Sequence, residues 1–154
     1  MNIVLFEPEI PHNTGAVGRT CFVTGSTLHL IKPFGFFIDE KHLRRTGLDY
    51  WHTLDIVYHE SGPDFLEFFQ KNNEGAGLWM VETNGEICYT QADFKTGDYI
   101  MFGSETTGIP EYILKESPER ILRIPMKPGT RSLNLSVSAG IVLYEALRQN
   151  GFSF

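Results

Sequence analysis

Short apolar runs alternate along this chain with segments in which apolar residues recur every three or four positions. The runs are typical of buried strands and cover residues 2–6, 27–31, 54–58, 78–81, 99–102 and 121–124. The intervening segments predict helices that follow residues 15, 39, 61, 110 and 134. This alternation indicates an α/β fold in which a parallel sheet is covered by helices on both faces. The 154 residues have the length of one ordinary domain, so we expect a single domain over residues 1–154.

Three polar loops that contain glycine follow predicted strands. They come after Phe6, Phe102 and Met126. The carboxyl ends of parallel strands meet at one edge of a sheet, and ligands bind at that edge. The three loops are therefore predicted to lie together and to form a functional site.

The last predicted helix has an unusual first turn. Ser132 or Asn134 can cap it, and Asn150-Gly151 supplies its end. Four small residues follow the cap: Ser136, Ser138, Ala139 and Gly140. Small side chains allow close approach of either another helix or a ligand, and this stretch taken alone favours helix packing.

The composition is that of a globular protein, with 42% hydrophobic and 21% charged residues. No apolar run approaches the ~20 residues of a membrane span, and the first residues lack the features of a signal peptide. We therefore expect a cytoplasmic protein. Two cysteines and five dispersed histidines predict neither a disulfide framework nor a metal site. The net charge of −6 means that a nucleic acid could bind only at a local basic patch.

Familiar nucleotide-binding motifs are missing from the sequence. Residues 15–18 lack the third glycine of the dinucleotide fingerprint. Residues 103–108 have the glycine spacing of a phosphate-binding loop, but Ile109-Pro110 stand where Lys and Ser or Thr are required. No Gly-x-Ser-x-Gly elbow occurs. ATP hydrolysis and dinucleotide chemistry are therefore disfavoured.

Taken together, the three loops resemble the three motifs of the SPOUT superfamily of RNA methyltransferases. The matching segments are Asn13-Thr14-Gly15-Ala16-Val17-Gly18-Arg19, then Phe102-Gly103-Ser104-Glu105-Thr106-Thr107-Gly108-Ile109-Pro110, then Ile124-Pro125-Met126 with Arg131-Ser132-Leu133-Asn134-Leu135-Ser136. Residues 7–11 and 44–50 look most like the minimal subgroup that methylates the ribose 2′-hydroxyl of the tRNA wobble nucleotide, cytidine or uridine 34. The resemblance implies a carboxyl-terminal trefoil knot, S-adenosylmethionine as the methyl donor, no metal, and a homodimer acting on tRNA.

The resemblance also assigns residues to roles. It places the contacts to the methyl donor at Val81, Gly103, Ile124, Met126, Ser132 and Leu133. Arg19 is the predicted catalytic residue, and it would hold a phosphate and stabilise the developing alkoxide, because a guanidinium is a poor general base. Ser132 and Asn134 would orient the hydroxyl, although both are equally good helix caps.

RNA contact is expected at five basic residues: Lys41, Arg44, Arg45, Lys127 and Arg131. The cluster at residues 41–45 is explained equally well as an ordinary solvated helix face. Glu105 could shape the cofactor loop, pair with Arg19 or pair with a partner subunit. Tyr144 could lie at a dimer interface, at RNA or partly in the core. Val137 departs from the subgroup, which commonly has Asn at that position, and this weakens the choice of target nucleotide.

Other functions remain open at this stage. The same catalyst could act on ribosomal RNA or on another tRNA position. A non-catalytic module that binds a nucleotide or RNA comes next. A metabolic enzyme of doubly wound fold is the last alternative, since no fingerprint supports it.

Overall fold

A computed structural model of the protein describes residues 1–36 and 51–153. Within these ranges the strands are β1 (Asn2–Phe6), β2 (Thr27–Ile31), β3 (Ile56–His59), β4 (Leu78–Val81), β5 (Ile87–Cys88), β6 (Tyr99–Phe102) and β7 (Ile121–Arg123). The α-helices of the same ranges are α1 (Pro11–Thr24), α2 (Gly62–Asn72), α3 (Glu111–Leu114) and α4 (Leu135–Gln149). No helix in the described part of the chain is long and apolar enough to span a bilayer.

The described strands form one parallel sheet, in the order β3-β2-β1-β6-β4-β7-β5. This confirms the predicted α/β fold class. The order places β1, β6, β4 and β7 side by side, and the carboxyl ends of all four lie at the same edge. The loops that follow β1, β6 and β7 are thereby brought together, as the sequence predicted.

Helices cover both faces of the sheet. On one face, Val17 and Cys21 of α1 and Val142 and Leu143 of α4 belong to the same buried cluster as Leu5 of β1. On the opposite face, a second cluster joins side chains of α2 and α3 to the sheet: Val4, Met80, Met101, Phe65 and Ile113. The central strands are therefore buried on both sides, which explains their continuous apolar runs.

Local structure differs from the sequence prediction in several places, beginning with β7, which is one residue shorter than the predicted run at 121–124. The third strand spans Ile56–His59 rather than residues 54–58, because Leu54 is buried in the core ahead of the strand. β5 has only two residues, too short for a periodicity to reveal it, and it was not predicted. The predicted loop at residues 8–15 is wrong in its second half, since α1 begins at Pro11. The basic helix predicted after Asp39, with Lys41, His42, Arg44 and Arg45, lies outside the described residues.

Two histidines are buried between the sheet and α2. His29 of β2 and His59 of β3 are each 2% exposed, and their rings stack at 5.3 Å between centroids. A hydrogen bond of 3.0 Å joins His29 Nδ1 to His59 Nε2. Burial lowers the pKa of His29 to about 4, assisted by the neighbouring His59, and burial also lowers the pKa of His59. Both rings are therefore neutral at physiological pH.

Candidate functional site

A pocket of about 540 Å³ opens at the carboxyl edge of the sheet. This is ample for a small organic ligand. Its walls come from the start of α1, the end of β4, the loop after β6 and the chain between β7 and α4. Its lining residues include Asn13, Val81, Glu82, Gly103, Glu105, Gly108, Ile124, Met126, Arg131, Ser132, Leu133 and Asn134.

All six residues predicted to contact the methyl donor line this one pocket. They are Val81, Gly103, Ile124, Met126, Ser132 and Leu133. Val81 and Ile124 pack partly against the core, whereas Leu133 is 39% exposed and so is not a core residue. An exposed leucine at the mouth of a pocket is available to cover an apolar ligand. These six residues come from the end of β4 and from the loops after β6 and β7, which are widely separated in sequence.

Gly103 permits the tightest approach of backbone in the site. A Cβ built on Gly103 would lie 2.0 Å from the carbonyl carbon of Gly108 and 2.3 Å from the nitrogen of Ile109. The loop closes on itself through Ser104, whose backbone oxygen accepts a hydrogen bond from the nitrogen of Gly108 at 3.0 Å. Gly108 itself has φ of 71°, which favours glycine. The two glycines therefore make a compact turn whose backbone faces the pocket.

A chain of hydrogen bonds links the three loops. The Asn134 side-chain amide donates to Asn13 Oδ1 at 2.9 Å, and the Asn13 amide donates to Glu105 Oε1 at 2.8 Å. Asn13 is only 6% exposed. Asn134, Asn13 and Glu105 come from the third, first and second motifs, so this chain fixes the motifs relative to one another. The sequence prediction assigned no role to Asn13, because its importance comes from contacts more than 90 residues away.

Glu105 also explains where α1 begins. Ile10 is the N-cap residue of α1, yet it offers no side-chain cap. The carboxylate of Glu105 accepts hydrogen bonds from the backbone nitrogens of Glu9 at 2.9 Å and Ile10 at 3.3 Å. A carboxylate at a helix N-terminus also interacts favourably with the helix dipole. Pro11 suits the first position of a helix, but no capping side chain precedes it, because the cap comes from a distant loop; the prediction therefore placed the start of the helix too late.

Asn134 is the N-cap of α4. Its Oδ1 accepts hydrogen bonds from the backbone nitrogens of Ser136 at 2.9 Å and Val137 at 3.3 Å. Its amide group meanwhile points to Asn13 in the pocket wall. Of the two cap candidates, Asn134 takes the role; the described contacts engage one of its two amide hydrogens, through Asn13, and leave the other for the site. Ser132 is exposed and lines the pocket.

Glu82 is a second pocket residue that the sequence prediction missed. It directly follows β4, and its Oε1 accepts a hydrogen bond from the backbone nitrogen of Ile109 at 2.6 Å. In the sequence, Glu82 merely precedes the Asn84-Gly85 turn, and nothing local distinguishes it from other acidic residues. Only the pairing of β4 with β6 brings the loop after Phe102 within its reach.

Arg19 does not line the pocket of its own chain. It is exposed on α1, six residues after Asn13. Six residues correspond to roughly 240° of net rotation around a helix, so the two side chains leave α1 in different directions. Within one chain, the structure therefore does not bring Arg19 to the residues contributed by the second and third motifs.

The predicted RNA contacts are only partly described. Arg131 lies at the pocket and is exposed, and Lys127 is exposed in the preceding turn but does not line the pocket. Lys41, Arg44 and Arg45 lie outside the described residues. Among residues 1–36 and 51–153, no group of three or more His, Cys, Asp or Glu side chains is arranged to hold a metal ion.

Comparison with known proteins identifies the family of this chain. The sequence model of the SpoU rRNA Methylase family matches residues 1–144. A tRNA (cytidine(34)-2′-O)-methyltransferase of Photorhabdus asymbiotica is 47% identical in an alignment of 160 positions, which covers 99% of this chain and 96% of that protein.

Solved structures share the fold. One, described as giving structural insights into the 2-OH methylation of C/U34 on tRNA, is 42% identical with a TM-score of 0.89, covering 99% of this chain and 97% of that chain. An AdoMet-bound rRNA methyltransferase from Sinorhizobium meliloti is 25% identical with a TM-score of 0.82, covering 96% of this chain and 55% of that chain. The family resemblance predicted from the three motifs is thus confirmed, and the chain belongs to the SpoU rRNA methylase family.

Proposed function

We propose that this protein transfers a methyl group from S-adenosylmethionine to a ribose 2′-hydroxyl of tRNA, at cytidine or uridine 34 of the anticodon loop. The observation that carries the proposal is the single pocket in which the three motifs meet. The full-length relative whose name specifies this reaction supports the choice of tRNA. The activity would reside in one cytoplasmic domain spanning residues 1–154.

The pocket suits the methyl donor in size and in chemistry. Val81, Ile124 and Leu133 offer apolar surface for the adenine, and the close turn of Gly103 and Gly108 offers backbone groups for the polar parts. When bound, S-adenosylmethionine supplies a methyl group made reactive by its positively charged sulfur. The protein's task is then to hold the hydroxyl, the methyl carbon and the sulfur in line, and positioning alone can supply much of the rate.

Three side chains are assigned to the RNA ribose. The Asn134 amide and the Ser132 hydroxyl lie at the pocket and would hold the 2′-hydroxyl in place. Arg19 would bind the adjacent phosphate and stabilise the negative charge that develops on the 2′-oxygen. The proton would leave to the phosphate or to water, because a guanidinium stays protonated.

Arg19 can take this role if the active unit is a homodimer. Exposed apolar side chains occur on both α1 and α4, which pack beside each other: Phe22 at 44%, Val23 at 60%, Val137 at 49% and Tyr144 at 47% exposure. A two-fold dimer through this surface would bury them. In that arrangement Arg19 of the partner subunit would complete each pocket, and both chains would contribute to each site.

Binding of RNA would depend on local charge. The net charge of −6 opposes general attraction to nucleic acid. Arg131 at the pocket and Lys127 beside it form the described part of the proposed basic surface. Lys41, Arg44 and Arg45 complete it in our proposal, and dimerisation would double its extent. We further propose that the chain from β7 to α4 belongs to the trefoil knot implied by the motif resemblance.

Methyl transfer to separated RNA pools tests the proposal directly. Purified protein and radiolabelled S-adenosylmethionine would be incubated with tRNA and, separately, with ribosomal RNA. We expect label in tRNA only, and mapping of ribose methylation should place it at nucleotide 34. Label in ribosomal RNA would favour the alternative target, and uptake of the methyl donor without transfer to either pool would indicate a binding module. Protein carrying Gly103→Ala serves as the control with a disrupted pocket.

A further inference from the structure

Glu82 stands where the walls of the pocket converge. It is the first residue after β4, and β4 lies between β6 and β7 in the sheet. The loops that follow those two neighbouring strands both line the pocket. A half-buried carboxylate at this position faces whatever the pocket binds.

The carboxylate of Glu82 is held in one place. Its Oε1 accepts the hydrogen bond from the Ile109 nitrogen at 2.6 Å. Gly108 packs directly over it, since a Cβ on Gly108 would lie 2.7 Å from Oε1 and 3.2 Å from Oε2. These contacts come from the cofactor loop itself. The side chain is therefore part of the wall rather than a mobile arm, and little ordering would be needed on binding.

The group can accept further hydrogen bonds. An ionised carboxylate has about four acceptor sites and no donor, and the Ile109 nitrogen occupies one of them. A ligand group that meets Glu82 must therefore be a donor. S-adenosylmethionine carries two kinds of donor that are not on its base: the hydroxyls of its ribose and the ammonium of its amino-acid part.

The position of Glu82 favours the ribose. Its neighbour Val81 and Ile124 line the same pocket and offer apolar surface suited to adenine, and the ribose is bonded directly to that base. The reactive methyl must lie toward Asn13 and Asn134, where the RNA ribose is proposed to enter, and the amino-acid part lies beyond the sulfur. An acidic residue beside a parallel strand that binds ribose hydroxyls is also a known solution in other nucleotide-binding sheets.

We propose that Glu82 binds the methyl donor by accepting hydrogen bonds from its ribose hydroxyls. This inference rests on the proposed function. By fixing the ribose between the base and the sulfur, Glu82 also sets the direction in which the methyl group points. The hydrogen bond to Ile109 couples that contact to the shape of the Gly103–Gly108 turn.

Two charge-removing substitutions separate this role from a general loss of negative charge. Glu82→Gln keeps an oxygen that can accept from Ile109, so the loop stays tethered, while Glu86→Gln removes the same charge from an exposed position in the same turn. Dissociation constants would be measured for S-adenosylhomocysteine, for 5′-methylthioadenosine, which lacks the amino-acid part, and for 2′-deoxy and 3′-deoxy forms of the latter. Competition against labelled S-adenosylhomocysteine allows weak binders to be measured.

We expect Glu82→Gln to weaken the binding of both S-adenosylhomocysteine and 5′-methylthioadenosine about tenfold, because a charge-assisted hydrogen bond to the ribose becomes a neutral one. Glu86→Gln should stay within about twofold of wild type, as expected for an exposed charge outside the pocket. At least one deoxy form should lose much less affinity on Glu82→Gln, since its bond to Glu82 is already missing.

Equal affinities for the Glu82→Gln and Glu86→Gln proteins would overturn the inference. The inference would also fail if Glu82→Gln weakened the binding of S-adenosylhomocysteine but not that of 5′-methylthioadenosine. That result would place the Glu82 carboxylate at the ammonium of the amino-acid part instead. A wild-type protein that binds no S-adenosylhomocysteine would contradict the proposed function itself, which separates the two failures.

Discussion

Asn13 and Asn134, 121 residues apart in sequence, are joined by a side-chain hydrogen bond of 2.9 Å. Each also has a partner of its own: Asn13 donates to Glu105, and Asn134 caps α4. The pair therefore connects the beginning of the first helix to the beginning of the last one. A binding site built on such a link depends on both ends of the chain being folded.

Replacement of Asn13 by Ala should destabilise the protein and weaken binding of S-adenosylhomocysteine. The substitution removes the donor to Glu105 and the acceptor for Asn134 at a buried position, which costs about 1–3 kcal/mol of unfolding free energy. Urea denaturation measures this cost. Asn72→Ala is the matched control, since Asn72 is exposed and its side chain donates to the Phe68 oxygen one turn earlier in the same helix, and it should change stability by less than about 0.5 kcal/mol. Equal costs for the two substitutions would show that the link contributes nothing.

Gly103→Ala should reduce affinity for S-adenosylhomocysteine at least about tenfold. The new Cβ would meet the backbone of Gly108, so the turn must open, and overpacking of this kind typically costs about 1–3 kcal/mol. Calorimetric titration would detect the loss. In Gly140→Ala the added Cβ meets nothing within 4 Å among the described residues of the chain, and this control should retain normal affinity. Normal affinity in Gly103→Ala would exclude a close-fitting cofactor turn.

Mixing two inactive variants would test whether Arg19 acts on the pocket of a partner subunit. Arg19→Ala and Gly103→Ala damage different parts of the proposed shared site. Random re-pairing of the two should yield mixed dimers with one complete pocket, and hence roughly a quarter of wild-type methyl transfer. The methyl-transfer activity of each variant measured alone provides the baseline. If the mixture is no more active than the separate variants, either the chains do not exchange or Arg19 serves its own chain, and sedimentation of tagged subunits distinguishes these cases.

Acidification should destabilise the protein through the buried histidine pair. The pKa of His29 is about 4 in the folded state, below its ordinary value of 6.5, so the unfolded chain takes up a proton more readily. The stabilisation is therefore complete above about pH 6.5 and is lost as the pH falls toward 4, with a total on the order of 3 kcal/mol. The pKa of His59 is also lowered in the folded state, so its contribution to stability is likewise lost as the pH falls.

Urea denaturation between pH 7.5 and about 4.5 would reveal this dependence. His29→Gln should flatten the profile, because one of the two buried titrating groups is gone. His52→Gln alters an exposed histidine in the 3-10 turn Trp51–Thr53 and should keep the wild-type slope. An unchanged slope in His29→Gln would mean that other groups cause the loss at low pH.

The sequence predicted the sheet more completely than the site. Strands buried on both faces give continuous apolar runs, and β1, β2, β4 and β6 were found with the bounds that the structure shows. The motif resemblance likewise named six residues that line one pocket, and their contact with the methyl donor stays a prediction. The strands and the pocket-lining residues can be predicted because each depends on residues that are close together in the sequence.

Features that depend on partners distant in sequence could not be predicted. Asn13 and Glu82 acquire their roles only through Glu105, Asn134 and Ile109, each at least 27 residues away. The same cause explains the misplaced start of α1. The position of Arg19 outside its own pocket follows from helical geometry, which the motif spacing alone does not express.

The cap that Glu105 provides for α1 has a consequence for synthesis of the protein. When α1 leaves the ribosome, the residue that will satisfy the backbone nitrogens of Glu9 and Ile10 has not yet been translated. The nascent amino-terminal segment therefore lacks this cap until residue 105 has emerged and the loop after β6 has come to lie beside the start of α1. The three motifs that line the pocket of this enzyme can consequently come together only late in synthesis, after the carboxyl-terminal half of the chain has been made.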